Sequence, residues 1–220
     1  MSSQRLGEAI ELLRSVYAAS PSGLAELPPG RWQTLLEVVA GTSGHGKDND
    51  GESGIALTEP AAVLAAPPEV VQDTLKLTGR DPRRAAALQA LAGWWPGDLP
   101  QPEWCEAEDS RRAELTGIRG IGPELVDRIL LFVLGIRTMP LSRGAIRVVC
   151  RHGWCGMESE YEEWQHIFRQ ASEVSGTSLE KIVVLLNRVG RDHCGSRPRC
   201  DGCPLESLLP ESGICEPEGP

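Results

Sequence analysis

The turn at residues 120–123, with the sequence Gly-Ile-Gly-Pro, constrains the fold of this chain more than any other feature. Glycine reaches backbone conformations with positive φ that other residues avoid, and proline suits the first position of a helix. A tight turn is therefore predicted between a helix that ends near Leu115 and a helix that begins at Pro123. The second helix, over 123–136, is strongly apolar and should be buried on most sides.

Helical periodicity continues through the rest of the chain, whereas strand signals are nearly absent. An all-α fold is therefore predicted. With 220 residues, of which 40% are hydrophobic, the chain is long enough to bury a core. The glycine-rich segment 41–54 is predicted to be a loop, and a phosphate-binding loop is disfavoured because no strand precedes it. Helices are predicted over 4–19, 31–40, 59–66, 68–77, 81–95, 103–116, 123–136, 142–152, 159–174 and 178–190.

The backbone of the Gly-Ile-Gly turn is suited to bind an anion. Its glycines let N–H groups approach a ligand closely, and the start of the next helix adds partial positive charge. A DNA phosphate is the predicted ligand, and an ordinary turn between two helices is the alternative. The residues predicted to contact DNA at this turn are Arg119, Gly120, Ile121 and Gly122.

Four of the seven cysteines lie within the last 27 residues. The N-terminus has no secretion signal, so a reducing, cytoplasmic compartment is predicted, where clustered cysteines are more often metal ligands than disulfides. Soft thiolates select zinc or iron–sulfur clusters, and the spacing alone leaves both open. The four residues are Cys194, Cys200, Cys203 and Cys215, with the spacing C-x5-C-x2-C-x11-C.

The hairpin at 115–128, followed near the C-terminus by GRxxC and RPxCxxCPL, resembles the endonuclease III branch of the helix-hairpin-helix DNA glycosylases. The resemblance implies an all-α fold of two helical subdomains with a C-terminal 4Fe–4S cluster loop. A central domain over 32–137 would contain the hairpin, and 1–31 with 138–220 would form the cluster domain. A monomer that binds double-stranded DNA and no membrane is the implied state.

The same resemblance implies that Cys194, Cys200, Cys203 and Cys215 hold the 4Fe–4S cluster, with zinc as the alternative metal. The family's loop usually has the spacing C-x6-C-x2-C-x5-C. In this chain the first gap is one residue shorter and the last gap is six residues longer. Cys215 is therefore the ligand that departs most from the family pattern.

The catalytic positions of the family are substituted in this chain. Active relatives begin the helix after the hairpin unit with an aspartate, and a register on Pro140 and Arg147 places Ser142 there. Serine is a good N-cap, but it carries no charge with which to stabilise a cationic transition state. Bifunctional relatives carry a lysine nucleophile just after the hairpin glycines, where this chain has Glu124. The glutamine that fills the gap left by a flipped base is also missing from 38–43.

The formal net charge of −9 disfavours a general affinity for nucleic acid, since phosphate contacts need lysine and arginine. Basic residues nevertheless cluster in 137–152, where Arg143 and Arg147 are predicted to contact DNA. A solvated helix face is the alternative for each arginine. Asp127 is the candidate for a relocated catalytic acid, and a surface acid is the alternative interpretation.

The sequence thus predicts a base-excision-repair family protein that binds DNA, carries a 4Fe–4S cluster and has weak or absent glycosylase activity. One alternative is an active monofunctional DNA glycosylase with a non-standard catalytic acid. A second alternative is a cluster-binding structural or redox protein without a role on DNA. The interpretation leaves open whether the chain is an enzyme.

Overall fold

The computed structural model of the chain describes residues 2–18, 23–26, 28–40, 57–74, 82–95, 97 and 108–215. Within these ranges no β-strand occurs, apart from an isolated bridge between Cys194 and Pro198. The prediction of an all-α fold is confirmed. The predicted loop at 41–54 and the predicted helical residues 75–77 and 103–107 lie outside the described residues.

Short 3₁₀ turns occur at Gly23–Glu26 and Glu206–Leu208. In chain order the described α-helices are Ser2–Val16 (α1), Trp32–Ala40 (α2), Pro60–Ala65 (α3), Pro68–Thr74 (α4), Pro82–Trp94 (α5), Glu108–Thr116 (α6), Pro123–Arg128 (α7), Arg143–Arg151 (α8), Tyr161–Ser175 (α9) and Leu179–Asp192 (α10).

The chain divides into two compact units, and the first is the continuous segment Glu26–Ile136. In this unit α5 packs against α3 and α4, and α2 packs against the segment that follows α7. Backbone and side-chain hydrogen bonds join distant parts of the unit, from Gly30 N to Val133 O over 2.6 Å and from the Trp32 indole to Leu57 O over 3.0 Å. Its fully buried side chains include Leu35, Leu88, Leu91, Leu115 and Ile129.

The apolar segment 123–136 differs from the single α-helix that the sequence predicts. Regular α-helix ends at Arg128, and Ile129–Val133 forms a π-helix that closes with a bond from Leu134 N to Ile129 O over 3.0 Å. All residues of 126–134 are buried. A π turn places one extra residue in the helix, so consecutive apolar side chains can face the core on most sides.

The second unit comprises Met1–Ala25 and Arg137–Pro220. Here α1 packs along α9, and α8 packs along α10. The second pair is held close because glycines face each other, with Gly144 on α8 and Gly190 on α10. A Cβ atom added at Gly190 would lie 3.0 Å from the Cα of Gly144, so the two helices leave no room for a side chain there.

A buried glutamine fixes the segment that leads into α8. The Gln165 side chain, which is 1% exposed, accepts from Met139 N over 2.7 Å and donates to Met139 O over 2.9 Å. The hydroxyl of Thr138 also donates to Gln165 over 3.3 Å. The Gln165 amide thus satisfies both backbone hydrogen-bonding groups of Met139, as a neighbouring strand would. It therefore fixes the position of the chain just before Ser142.

None of the helices in the described ranges combines the length and the apolar character needed to cross a lipid bilayer.

The contact between α8 and α10 predicts a specific sensitivity to one methyl group. Gly190→Ala should lower the free energy of unfolding by about 1–3 kcal/mol, because the added Cβ overpacks against the backbone of Gly144. Gly144→Ala is the matched control, since its Cβ would stay 3.7 Å or more from neighbouring atoms. Denaturant unfolding of both variants measures the difference. Equal stability of the two variants would show that the helix contact tolerates the extra group.

Candidate functional site

Three of the four clustered cysteines line one cavity at the end of α10. The loop that begins after Asp192 is shaped by hydrogen bonds from Cys194 N to Val189 O over 3.0 Å and from Cys203 N to Cys200 O over 2.9 Å. Cys194, Cys200 and Cys203 line the cavity together with apolar side chains of α8, α10 and the loop. The apolar lining residues include Val148, Val189, Leu205, Leu209 and Ile214.

Two arginines of α8, one turn apart, hold this loop. Arg147 donates from Nε to Cys194 O over 3.0 Å. Arg151 donates to Gly195 O over 2.7 Å and to Ser196 O over 3.1 Å. Its Nη1 also lies 3.4 Å from the Cys194 sulfur, within hydrogen-bonding distance for a thiol or thiolate. Arg147, which the sequence assigns to DNA, therefore contacts the cysteine loop, whereas Arg143 is exposed at the start of the helix.

Cys215 does not line the cavity of the other three cysteines. Its backbone N–H donates to Arg151 O over 2.9 Å. Its sulfur would lie 3.3 Å from a Cβ atom added at Gly153, a residue with a φ of +66° at the end of α8. The preceding Ile214 lines the cavity, but Cys215 is not among the lining residues. The structure thus brings Cys194, Cys200 and Cys203 to one cavity and packs Cys215 against the turn that follows α8.

The environment of the cavity disfavours the ionised forms of Cys200 and Cys203 in the absence of a metal ion. Burial raises the pKa of the Cys200 and Cys203 thiols, and the neighbouring Cys194 raises both further. A bound metal deprotonates its cysteine ligands, so it would reverse this effect. In the part of the chain that the structure describes, no three Cys, His, Asp or Glu side chains converge closely enough to hold a single metal ion.

A buried histidine closes the cavity on the side of α8. The ring of His152 stacks on Trp154, with 4.5 Å between centroids, and its Nδ1 lies 2.7 Å from Val148 O. Burial lowers the pKa of His152 because it disfavours the charged ring. Its Nε2 lies 3.3 Å from Leu205 O, so the two ring nitrogens face one backbone carbonyl on α8 and one on the cysteine loop.

Ser142 caps α8, as its residue type predicts, and it has a further partner. Its Oγ accepts from Ala145 N over 3.2 Å and donates to the Asn187 side-chain oxygen over 2.5 Å. Ser142 is only 8% exposed. The position therefore holds a neutral hydroxyl–amide pair between α8 and α10, and neither of these two partners of the hydroxyl is a carboxylate.

The predicted anion-binding turn is exposed to solvent. Arg119, Gly120 and Gly122 are all exposed, and Gly120 has a φ of +93° that favours glycine. Gly122 has an extended backbone that any residue can adopt. A Cβ atom added at Gly122 would meet no atom of the described residues within 4 Å. Neither the backbone nor the packing of the described residues requires glycine at position 122.

The carboxylate of Asp127 is engaged within its own unit. It lies 2.6 Å from Nη1 of Arg112 on α6, and its side chain is 3% exposed. The surface-acid interpretation is therefore wrong for Asp127. Glu124, one turn earlier, is exposed. The ion pair ties α7 to α6 across the Gly-Ile-Gly turn, which is a structural use of the acid.

Asn187 and Arg151 were missed as site residues in the sequence analysis. Arg151 carried a usable signal, because it follows Arg147 by four residues and so lies on the same helix face. Asn187 carried none, since its partner Ser142 is 45 residues away in the chain.

The ion pair of Asp127 with Arg112 predicts that two substitutions of the partners of this arginine change the free energy of unfolding by different amounts. Asp127→Asn should lower the free energy of unfolding by about 1.5–3 kcal/mol, because a charged hydrogen bond to a buried oxygen is lost. Glu108→Gln removes the exposed partner of Arg112, at 3.3 Å, and should change stability by less than about 0.5 kcal/mol. Denaturant unfolding compares them. Similar small effects would mean that Asp127 is free for another role.

No family model matches the chain. A stretch of 97 residues is 27% identical to the Methanocaldococcus jannaschii protein named "Putative DNA repair glycosylase MJ1434" and covers 44% of each protein, so less than half of that relative is matched. Among solved structures, a trapped covalent endonuclease III–DNA intermediate aligns with a TM-score of 0.64 at 18% identity, covering 96% of this chain and 97% of the other. A non-covalent endonuclease III–DNA complex has a TM-score of 0.64 at 17% identity and 96% coverage of both chains.

A thermostable thymine-DNA glycosylase aligns with a TM-score of 0.61 at 13% identity, covering 93% of this chain and 94% of that one. The three structures share one helical architecture, and each is matched over almost its whole length. The chain therefore has the all-helical fold of endonuclease III.

Proposed function

We propose that the chain is an endonuclease III-like protein of base excision repair that binds double-stranded DNA and carries a 4Fe–4S cluster. It acts as a cytoplasmic monomer, and its glycosylase activity is weak or absent. The observation that carries the proposal is the exposed Gly-Ile-Gly turn on a fold that occurs in DNA complexes. The cysteine cavity and the uncharged Ser142 position support the other two parts of the proposal.

The DNA contact is argued from the shape of the turn. The described part of the fold leaves open space beside Gly122, so an external group can approach its backbone closely. A phosphate oxygen accepts hydrogen bonds from backbone N–H groups, and such contacts position a protein on DNA without reading sequence. The exposed guanidinium of Arg119 adds a positive charge at the same place. This combination supports a non-specific phosphate clamp.

The cysteine cavity fits an iron–sulfur cluster better than a zinc ion. A single ion requires its ligands at about 2.3 Å, and no three ligands converge in this way among the described residues. A cluster is larger than an ion, so its thiolates stand around a common space, and the cavity that Cys194, Cys200 and Cys203 line supports such an arrangement. Cys215 is proposed as the fourth ligand, since its backbone N–H is bonded to Arg151, whose side chain reaches the Cys194 sulfur. When bound, the cluster would supply structural cross-linking and one-electron redox chemistry.

Weak or absent catalysis is argued from the charges at the substituted positions. Ser142 caps α8 and is hydrogen-bonded to Asn187, so the site offers a neutral pair where active relatives place a carboxylate. The exposed Arg143 beside it adds positive charge, which opposes a cationic transition state. Glu124 occupies the lysine position and Asp127 is bound to Arg112, so neither supplies the missing group.

DNA binding should depend on the turn and not on the stability of the fold. Gly122→Val should lower the free energy of unfolding by about 1 kcal/mol or less, because its side chain enters open space and its backbone is already extended, although valine is a poorer N-cap than glycine. Affinity for duplex DNA should fall about fivefold to tenfold, the effect of one lost hydrogen bond. Arg119→Ala should weaken binding on all sequences and reduce the salt slope by about 1. Fluorescence anisotropy at several salt concentrations measures both effects.

The control for these variants is Arg5→Ala, which removes an exposed charge from α1. It should leave affinity and salt slope unchanged. If Gly122→Val and Arg119→Ala bind DNA as the wild type and the control do, the turn does not bind DNA. The interpretation as a structural or redox protein without a DNA role would then be preferred.

A single substitution should restore excision if position 142 is the substituted catalytic site. Ser142→Asp keeps an equivalent N-cap and adds the missing negative charge, so base release should rise by roughly 100-fold over the wild type. Ser142→Asn is the matched control, since it caps the helix without a charge. Duplexes that contain uracil, thymine glycol, alkylated purines or mismatches provide the substrates. Wild-type excision that Ser142→Ala abolishes would instead establish an active glycosylase of unusual mechanism.

A further inference from the structure

Arg151 touches the first and the last of the four cysteines. Its side chain reaches the sulfur of Cys194 at 3.4 Å, and its backbone oxygen accepts from Cys215 N over 2.9 Å. The guanidinium also donates to the carbonyls of Gly195 and Ser196, which fix its plane against the loop. The residue is 6% exposed, so its charge is shielded little by water.

We propose that Arg151 is a tuning residue that raises the reduction potential of the cluster through its hydrogen bond to the Cys194 sulfur. This inference rests on the proposed function, since it requires the 4Fe–4S cluster. One electron from an external reductant enters the cluster on reduction, with no bond made or broken in the protein. The added negative charge is spread over the iron and sulfur atoms, including the thiolates. A fixed cation within hydrogen-bonding distance of one thiolate stabilises the reduced state more than the oxidised state.

The arrangement singles out Arg151 from the other charges near the loop. Arg147 on the same helix face contacts the carbonyl of Cys194 and not its sulfur. Glu206 also lines the cavity, and its negative charge opposes reduction. Arg197 belongs to the same loop, but it is exposed, so water and salt screen its charge. A directed N–H···S hydrogen bond from a buried cation therefore affects the reduction potential of the cluster more specifically than the exposed charges do.

The test is an electrochemical titration of the purified, cluster-loaded protein, monitored by electron paramagnetic resonance. Arg151→Gln should shift the midpoint potential to more negative values. The reduced-to-oxidised ratio at a fixed poise should fall at least tenfold, which corresponds to 59 mV for a one-electron couple. Arg151→Lys keeps the charge but loses the fork that fits the loop carbonyls, so it should shift the potential in the same direction by less. Arg197→Gln is the matched control and should keep the potential of the wild type.

Iron and acid-labile sulfide are measured first on each protein. A wild type without them overturns the proposed cofactor and, with it, this inference. A loaded wild type with unchanged potentials in the loaded Arg151 variants overturns the role of Arg151 alone. If Arg151→Gln does not assemble a cluster, Arg151→Lys decides the question, and a potential equal to that of the wild type counts against the proposal.

Discussion

The hydrogen bonds between α8 and the cysteine loop are the interaction on which the second unit depends. The loop has little regular structure of its own, so its carbonyls need donors from elsewhere. Arg147 and Arg151 supply them for Cys194, Gly195 and Ser196. Because both donors lie on one face of one helix, their hydrogen bonds fix the position of the loop backbone relative to α8. The arrangement of the cysteines therefore depends on the arginines of α8 as well as on the cysteine spacing.

The same short helix carries the substituted catalytic position at its other end. Ser142 caps the first turn of α8 and Arg151 is its last residue. The helix is short, since an α-helix rises about 1.5 Å per residue, and it acts as one rigid element. The close contact of Gly144 with Gly190 fixes the helix against α10, and Asn187 on α10 holds Ser142 directly. The hydroxyl–amide pair and the cysteine cavity thus share one scaffold of two helices.

Regular structure was predictable from the sequence because it follows from local pattern. The turn at 120–123, the apolar helix after it and the cap at Ser142 all depend on residues near one another in the chain. The π turn at Ile129–Val133 was not predictable, since an unbroken apolar run fits either helix type. The burial of Asp127 was not predictable, because its partner Arg112 lies on the preceding helix and periodicity does not pair them. The position of Cys215 outside the cavity lining was also not predictable, because it depends on packing and not on the spacing of the cysteines in the sequence.

The cap at Ser142 has a consequence for how such a chain can change over generations. Aspartate, asparagine and serine are about equally good at the N-cap of a helix. A lineage can therefore exchange a carboxylate for a hydroxyl at this position without losing the cap of α8, provided that the Asn187 amide turns its NH2 group toward the carboxylate. Purifying selection on folding does not detect the exchange. A reactive centre placed on a helix cap can disappear while the protein remains as stable, and as abundant in the cell, as before.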